Sequence, residues 1–295
     1  MDLLISGAWV WLFAALASSV LSAQNVEMNR RAGQESFRLN MWRMGISAVF
    51  WLPLAMLQEW PQDGWFYAVA IVSGISMIIG FTIQNDLAMK HNGRVAIIHM
   101  PLKAVLVFGL WILVNEQAWA HVLNNPLNDL GIVICLVVMV VALGNFRRND
   151  VSWSSLKAVM PVVVLYGVCD VLARMVMVPG DMGAKLIVFL FVMSCASSGF
   201  SVLLLPWRPK PELPLMTPKL LRSGGWAALG GMMNQTLFFT ALVLGPSPAY
   251  VSMVALLSPV WLLLYHRWAG IKDEASPVAG TVVVVAAIML MWLAK

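Results

Sequence analysis

Residues 64–86 read GWFYAVAIVSGISMIIGFTIQND. From Gly64 to Thr82 the run is almost wholly compatible with lipid, close to the ~20 residues a helix needs to cross a bilayer. It then ends on Gln84, Asn85 and Asp86. Polar groups are costly in hydrocarbon and mark either a pathway or a packed interface. Successive helical residues turn by about 100°, so these three sweep about 200° and do not share one face. Asp86 precedes Lys90 by four residues, the favourable order for a helical ion pair, and reads as a salt bridge at the helix end. Gln84 continues a stripe through Met77 and Phe81, and Asn85 one through Ile78 and Phe81. One of these two amides is expected to face a cavity, with Gln84 ahead of Asn85.

The rest of the chain repeats the pattern. Its 295 residues are 60% apolar and 11% charged, with a mean hydropathy of +0.81. Soluble domains are about half apolar and about a quarter charged. Ten apolar blocks are legible, at 7–27, 37–58, 65–88, 94–114, 127–146, 155–178, 183–205, 223–244, 247–266 and 276–294. The expectation is an all-α polytopic membrane protein. The residues before the first block carry Asp2 and no Lys or Arg, so that block reads as a first transmembrane helix, not a cleaved signal. Cys135, Cys169 and Cys195 lie inside apolar blocks and read as small buried hydrophobes. Their spacing suggests neither a disulfide framework nor a metal site, and no cofactor is expected. The basic residues are scattered over short loops, which speaks against nucleic acid as a partner.

Fourteen of the nineteen Lys and Arg residues, from Arg30 to Lys272, lie in or beside the loops after spans 1, 3, 5, 7 and 9. The positive-inside rule places those loops in the cytoplasm and both termini outside. The spans divide into two fives at 145–155, giving halves 1–150 and 151–295. Pro101 and Glu116 in the first half are matched, 158 residues later, by Pro259 and Glu274 in the second. A second copy of an odd number of spans must insert upside down. Two inverted five-helix repeats are therefore expected, the architecture of many secondary transporters.

Two stretches carry a resemblance: GRVAIIHMPLKAVLVFGLWILVNEQ (93–117) and SPAYVSMVALLSPVWLLLYHRWAGIKDE (247–274). With the ten-span pattern over the whole chain, they resemble the EamA-type proteins of the drug/metabolite transporter superfamily. The resemblance implies a carrier of small metabolites in the bacterial cytoplasmic (inner) membrane. It also implies a central cavity between the halves, and both termini inside, opposite to the charge count. The implied partners are a small polar or amphipathic substrate and the lipid bilayer, with protons as a coupling ion. The assembly would be a monomer or homodimer.

The polar residues inside the spans supply the candidate substrate-binding set: Gln84, Asn85, His99, Tyr166, Asp170, Arg174, Asn234, Gln235 and Phe238. Asp170 and Arg174 are four apart in the sixth span and read as a pair on one face, either structural or in contact with substrate. Tyr166 lies one turn earlier on that face. Asn234 and Gln235 sit midway along the eighth span, where amides bond a neighbouring helix or orient a substrate, and Phe238 shares the face of Asn234. Glycines 224, 225, 230 and 231 favour close helix contact there. His99 is either a proton relay or a donor to a carbonyl freed by Pro101. Pro101, Pro161 and Pro259 are candidate kinks. Ser18, Ser19 and Ser22 read as packing residues, and Gln24 and Asn25 as the lining of a cytoplasmic mouth. Arg43 reads as snorkelling toward the basic side. A flippase-like carrier of a lipid-linked molecule is the alternative, with Arg38, Arg43 and Lys103 at headgroup level. The chain has no His-Glu-x-x-His or Gly-x-Ser-x-Gly motif, and an enzyme is not expected.

Overall fold

The structure, a computed structural model, describes residues 2–90, 99–144, 153–177, 180, 182–207, 214–270 and 277–293. Arg94, Glu274 and the loop residues between these ranges fall outside them, as do the side chains of Asn85, Lys90 and Pro101. The regular elements among the described residues are all helical: α1 (Asp2–Ala32), α2 (Ser36–Met56), α3 (Gly64–Lys90), α4 (His99–Val114), α5 (Glu116–Asn124), α6 (Pro126–Gly144), α7 (Trp153–Val176), α8 (Met182–Leu204), α9 (Pro218–Leu244), α10 (Pro248–Ala255), α11 (Ser258–Trp268) and α12 (Pro277–Leu293). A 3-10 turn over Leu205–Trp207 follows α8. An all-helical chain is what lipid demands, because a helix pairs its backbone polar groups within itself.

Among the described residues six segments are long and apolar enough to cross a membrane: Trp9–Ala32, Gly64–Gln84, Val159–Val176, Met182–Trp207, Pro218–Leu244 and Pro248–Trp268. The chain is thus a multi-pass membrane protein. Shorter apolar stretches run through α4 and α6. α2 is not among the six, and its buried face explains why, since it carries Ser36, Arg38, Asn40, Arg43 and Ser47. These polar residues point into the bundle, where lipid does not reach them. Phe13, Val49, Val202 and Met233 are exposed around the outside, as expected of side chains that meet lipid tails.

α4 ends at Val114, where the fourth span was expected to end, and a further helix, α5, follows it. One expected span takes a different form. The ninth is broken at Leu256–Leu257 into α10 and α11. Pro259 sits in the first turn of α11, where its missing N–H costs nothing. It restarts a helix there; it does not kink a continuous one. The break is tolerated because it is buried and its polar groups are served. The Ser258 hydroxyl reaches the carbonyls of Ala255 (2.8 Å) and Ser19 (2.9 Å). Thr217 and Ser247 cap α9 and α10, each just before a proline at the first helical position.

The halves interlock. α1 packs on α9, α10 and α11; α2 on α8 and α9; α3 on α7 and α8; α4 on α7 and α10; and α6 on α12. Small residues allow the closest approaches. A Cβ at Gly74 would collide with the Met193 carbonyl, and one at Gly224 would lie 3.0 Å from Trp42 Cβ. Phe66, Met44, Phe189, Leu190 and Met193 are fully buried between the layers.

Candidate functional site

α1, α3, α4, α7, α9 and α10 line a cavity of ≈ 110 Å³. Of the nine candidates, Gln84, His99, Tyr166, Asp170, Asn234, Gln235 and Phe238 line it. They come from four helices, so only tertiary packing brings them together. Asn85 belongs to α3, but its side chain lies outside the described residues.

The cavity wall holds an ion pair. Lys103 Nζ lies 2.7 Å from Asp170 Oδ2, and each side chain is only 8% exposed. Either charge alone would be expensive in this interior, and together they offset much of that cost. The Lys103 ammonium also sits 4.9 Å from the centre of the Phe238 ring, and the Ser252 hydroxyl reaches Asp170 at 3.4 Å. Lys103 is thus the partner that spacing assigned to Arg174. Arg174 turns away and donates to the carbonyls of Val243 and Gly245. Those carbonyls end α9 and lack helical partners, and a cation suits that end of a helix. Four-residue spacing makes Asp170 and Arg174 neighbours, but the long arginine finds unpaired carbonyls while the short aspartate faces α4.

Around the pair are amides and rings. Gln84 Nε2 is 2.9 Å from His99 Nε2 and 3.1 Å from Nδ1. His99 therefore takes the amide of α3, a partner that neither expected role supplied. Tyr166 stands edge-on to both His99 and Phe81, with ring centres 5.8 and 6.0 Å apart. Asn234 accepts from the Ser18 hydroxyl at 2.8 Å, a bond between α1 and α9. Ser18, Ser19 and Ser22 line the cavity as well. The Tyr166 hydroxyl and the Gln235 amide nitrogen have no hydrogen-bond partner among the described residues.

Arg43 does not snorkel. It is 3% exposed, and its guanidinium lies over the Phe81 ring at 4.2 Å, in the notch left by Gly231. Snorkelling requires a clear path to the interface, and α9 closes that path. Phe81 lines the cavity, so Arg43 sits one ring behind its wall.

A second polar cluster ties α1 to α11. Glu27 pairs with Arg30 (2.8 Å) and Arg31 (2.7 Å), and His266 lies 3.4 Å from its carboxylate. Arg31 donates in turn to the Tyr265 hydroxyl at 2.7 Å. A groove of ≈ 330 Å³ runs beside this cluster and includes Gln24. Asn25 is buried instead, donating to the Gly230 carbonyl at 3.2 Å.

Among the described residues no group of three or more His, Cys, Asp or Glu side chains could hold a metal ion. The cavity wall presents one paired charge of each sign, amides, hydroxyls and aromatic rings.

No family model matches the chain, and no curated protein does. A solved structure described only as the crystal structure of a protein is similar over 98% of this chain and 98% of its own, with a TM-score of 0.64 at 16% identity. At that identity the likeness concerns the fold alone.

Proposed function

We propose that the protein is a secondary transporter of a small polar or amphipathic metabolite in the bacterial cytoplasmic membrane, of the EamA type. Ten spans in two inverted five-helix repeats would rock around the cavity in alternating access. The observation that carries this reading is the small cavity with the Lys103–Asp170 pair in its wall, placed between apolar helices drawn from both halves.

The pattern of helix contacts supports the repeat. Exchange α1, α2, α3, α4 and α6 for α7, α8, α9, α10/α11 and α12, and the packing list maps onto itself. α1 on α9 becomes α7 on α3, α3 on α8 becomes α9 on α2, and α4 on α7 becomes α10/α11 on α1. The tight glycines follow: Gly224 and Gly230 of α9 each come 150 residues after Gly74 and Gly80 of α3, and all four lie against a partner helix.

The cavity would hold only three or four waters at about 30 Å³ each. Typical small-molecule sites span roughly 300–1,000 Å³. The conformation described is thus too narrow for a metabolite, and the halves must part to admit one. The flippase-like alternative loses its footing, because none of its three basic residues is free at headgroup level. Lys103 is locked to Asp170, Arg43 lies over Phe81, and Arg38 pairs with Glu35 at 2.8 Å.

Purified protein in proteoliposomes, with and without an imposed proton gradient, tests the reading. Saturable flux of a small metabolite, lost in Lys103→Met, is expected. Absence of saturable flux across amino-acid-like, amine and carboxylate panels would overturn it.

A further inference from the structure

We infer that the molecule bound in this cavity carries an anionic group, a carboxylate or a phosphate, that docks at the Tyr166–Gln235 corner with Arg43 as its counter-charge. The inference rests on the transporter reading only in taking the cavity as the ligand site.

The first argument is charge balance. Lys103 and Asp170 neutralise each other at 2.7 Å. Arg43 adds a further positive charge, 97% removed from solvent, and no described carboxylate pairs with it. The face of Phe81 compensates a guanidinium less well than a carboxylate does. Among the described residues Arg43 is thus a buried positive charge without a carboxylate beside it, a costly condition inside a membrane that an arriving anion relieves.

The second argument is a surplus of donors at one place. The Tyr166 hydroxyl and the Gln235 amide nitrogen are buried and unpaired among the described residues, and both residues line the cavity. Gly231, whose notch holds the Arg43 guanidinium, is one turn before Gln235 on α9. The Phe81 ring beneath that guanidinium touches Tyr166 edge-on. The two orphan donors therefore face the same cavity, whose Phe81 wall backs onto the Arg43 charge. An anion that accepts from both lies one ring away from the guanidinium, whose charge attracts it strongly across so little water. An ammonium would meet a second positive charge there, and the single acid, Asp170, is already taken by Lys103.

The test uses the full chain, purified in detergent, because a ligand that binds only the folded state raises its melting temperature. The probes are matched sets: propionate, propionamide and propylamine; benzoate, benzamide and benzylamine; and inorganic phosphate. The expected result is stabilisation by carboxylates, by phosphate, or by both, and none by the amides or amines; the two anion arms distinguish the source. Arg43→Lys should keep this preference and Arg43→Gln should weaken anion binding by at least about tenfold. Two milder variants guard against misfolding. Tyr166→Phe removes only the hydroxyl, and Gly231→Ala pushes the guanidinium aside while keeping its charge; both should weaken anion binding. Stabilisation by amines or amides, no shift with any anion, or undiminished anion binding in all three of Arg43→Gln, Tyr166→Phe and Gly231→Ala would overturn the inference. Flux of a neutral or cationic metabolite would sink this inference alone, whereas anion binding without any flux would sink the transporter reading alone.

Discussion

α4 meets α7 through the buried Lys103–Asp170 ion pair, whereas at the counterpart position Trp261 of α11 meets Ser19 of α1 through an uncharged hydrogen bond. In the first contact Lys103 holds Asp170 at 2.7 Å. In the second the Trp261 indole N–H donates to the Ser19 hydroxyl at 2.8 Å, and that hydroxyl donates on to the Leu16 carbonyl at 2.7 Å. Under the proposed repeat these contacts are counterparts, since Trp261 follows Lys103 by the same 158 residues that separate Pro259 from Pro101. One scaffold thus carries two chemistries. Lys103 and Asp170 put a charge pair in the cavity wall, whereas the indole at the counterpart position of Lys103 needs no counter-ion. A pair of halves that differ in this way can bind an asymmetric molecule in one orientation.

The largest effect should come from breaking the charged contact. Lys103→Met leaves Asp170 buried without its cation and should destabilise the protein by about 3–5 kcal/mol. The double variant Lys103→Met with Asp170→Leu removes both charges and should recover most of that loss while still abolishing transport. Thermal denaturation in detergent reads the first quantity and proteoliposome flux the second. If the double variant is no more stable than the single, the pair is not the dominant electrostatic element of this contact.

The ion pair also shows where sequence reading reached its limit. Asp170 was legible as an intramembrane charge, and so were the amides, His99, Tyr166 and Phe238, because each is a polar or aromatic interruption of an apolar run. Pairing was not legible. Spacing along one helix ranks Arg174 first for Asp170, but whether two neighbours turn toward each other depends on what the facing helices offer. Here α9 offers bare carbonyls and α4 offers an ammonium. Lys103 did carry a signal: it is the lone basic residue in the middle of an apolar span, one turn after His99, and an opposite charge lies in another span. Arg43 was misread for a related reason. Reach to the interface depends on which helix covers a residue, and α9 covers Arg43. The break in the ninth span was half legible. Pro259 marked the place, but the buried serine that satisfies its carbonyls made a break possible where a kink was expected.

The glycine contacts sharpen the comparison at the next level of effect. A Cβ at Gly80 would overlap the tip of the Tyr166 ring, and one at Gly230 would overlap the Asn25 amide. Gly80→Ala pushes a rigid aromatic residue out of the cavity wall and should cost about 1–3 kcal/mol. Gly230→Ala should cost less, because the Asn25 side chain can swing aside. Gly225→Ala, where an added Cβ meets nothing within 4 Å, should be neutral or stabilising by up to about 1 kcal/mol. Equal losses at Gly80 and Gly230 would mean that the two sides of the cavity are equally rigid.

The smallest effect is expected at the uncharged contact. Trp261→Phe keeps a large ring against α1 and removes only the indole N–H. The Ser19 hydroxyl keeps its bond to the Leu16 carbonyl, so no buried donor is orphaned. The loss should be near 0.6 kcal/mol, the average for a hydrogen bond between membrane helices. It should also be independent of any charge substitution at Lys103 or Asp170, since the two contacts share no residue. A double-mutant cycle between Trp261→Phe and Lys103→Met checks this independence. A coupling well beyond about 0.5 kcal/mol would show that the charged and uncharged contacts respond as one unit in the folded state.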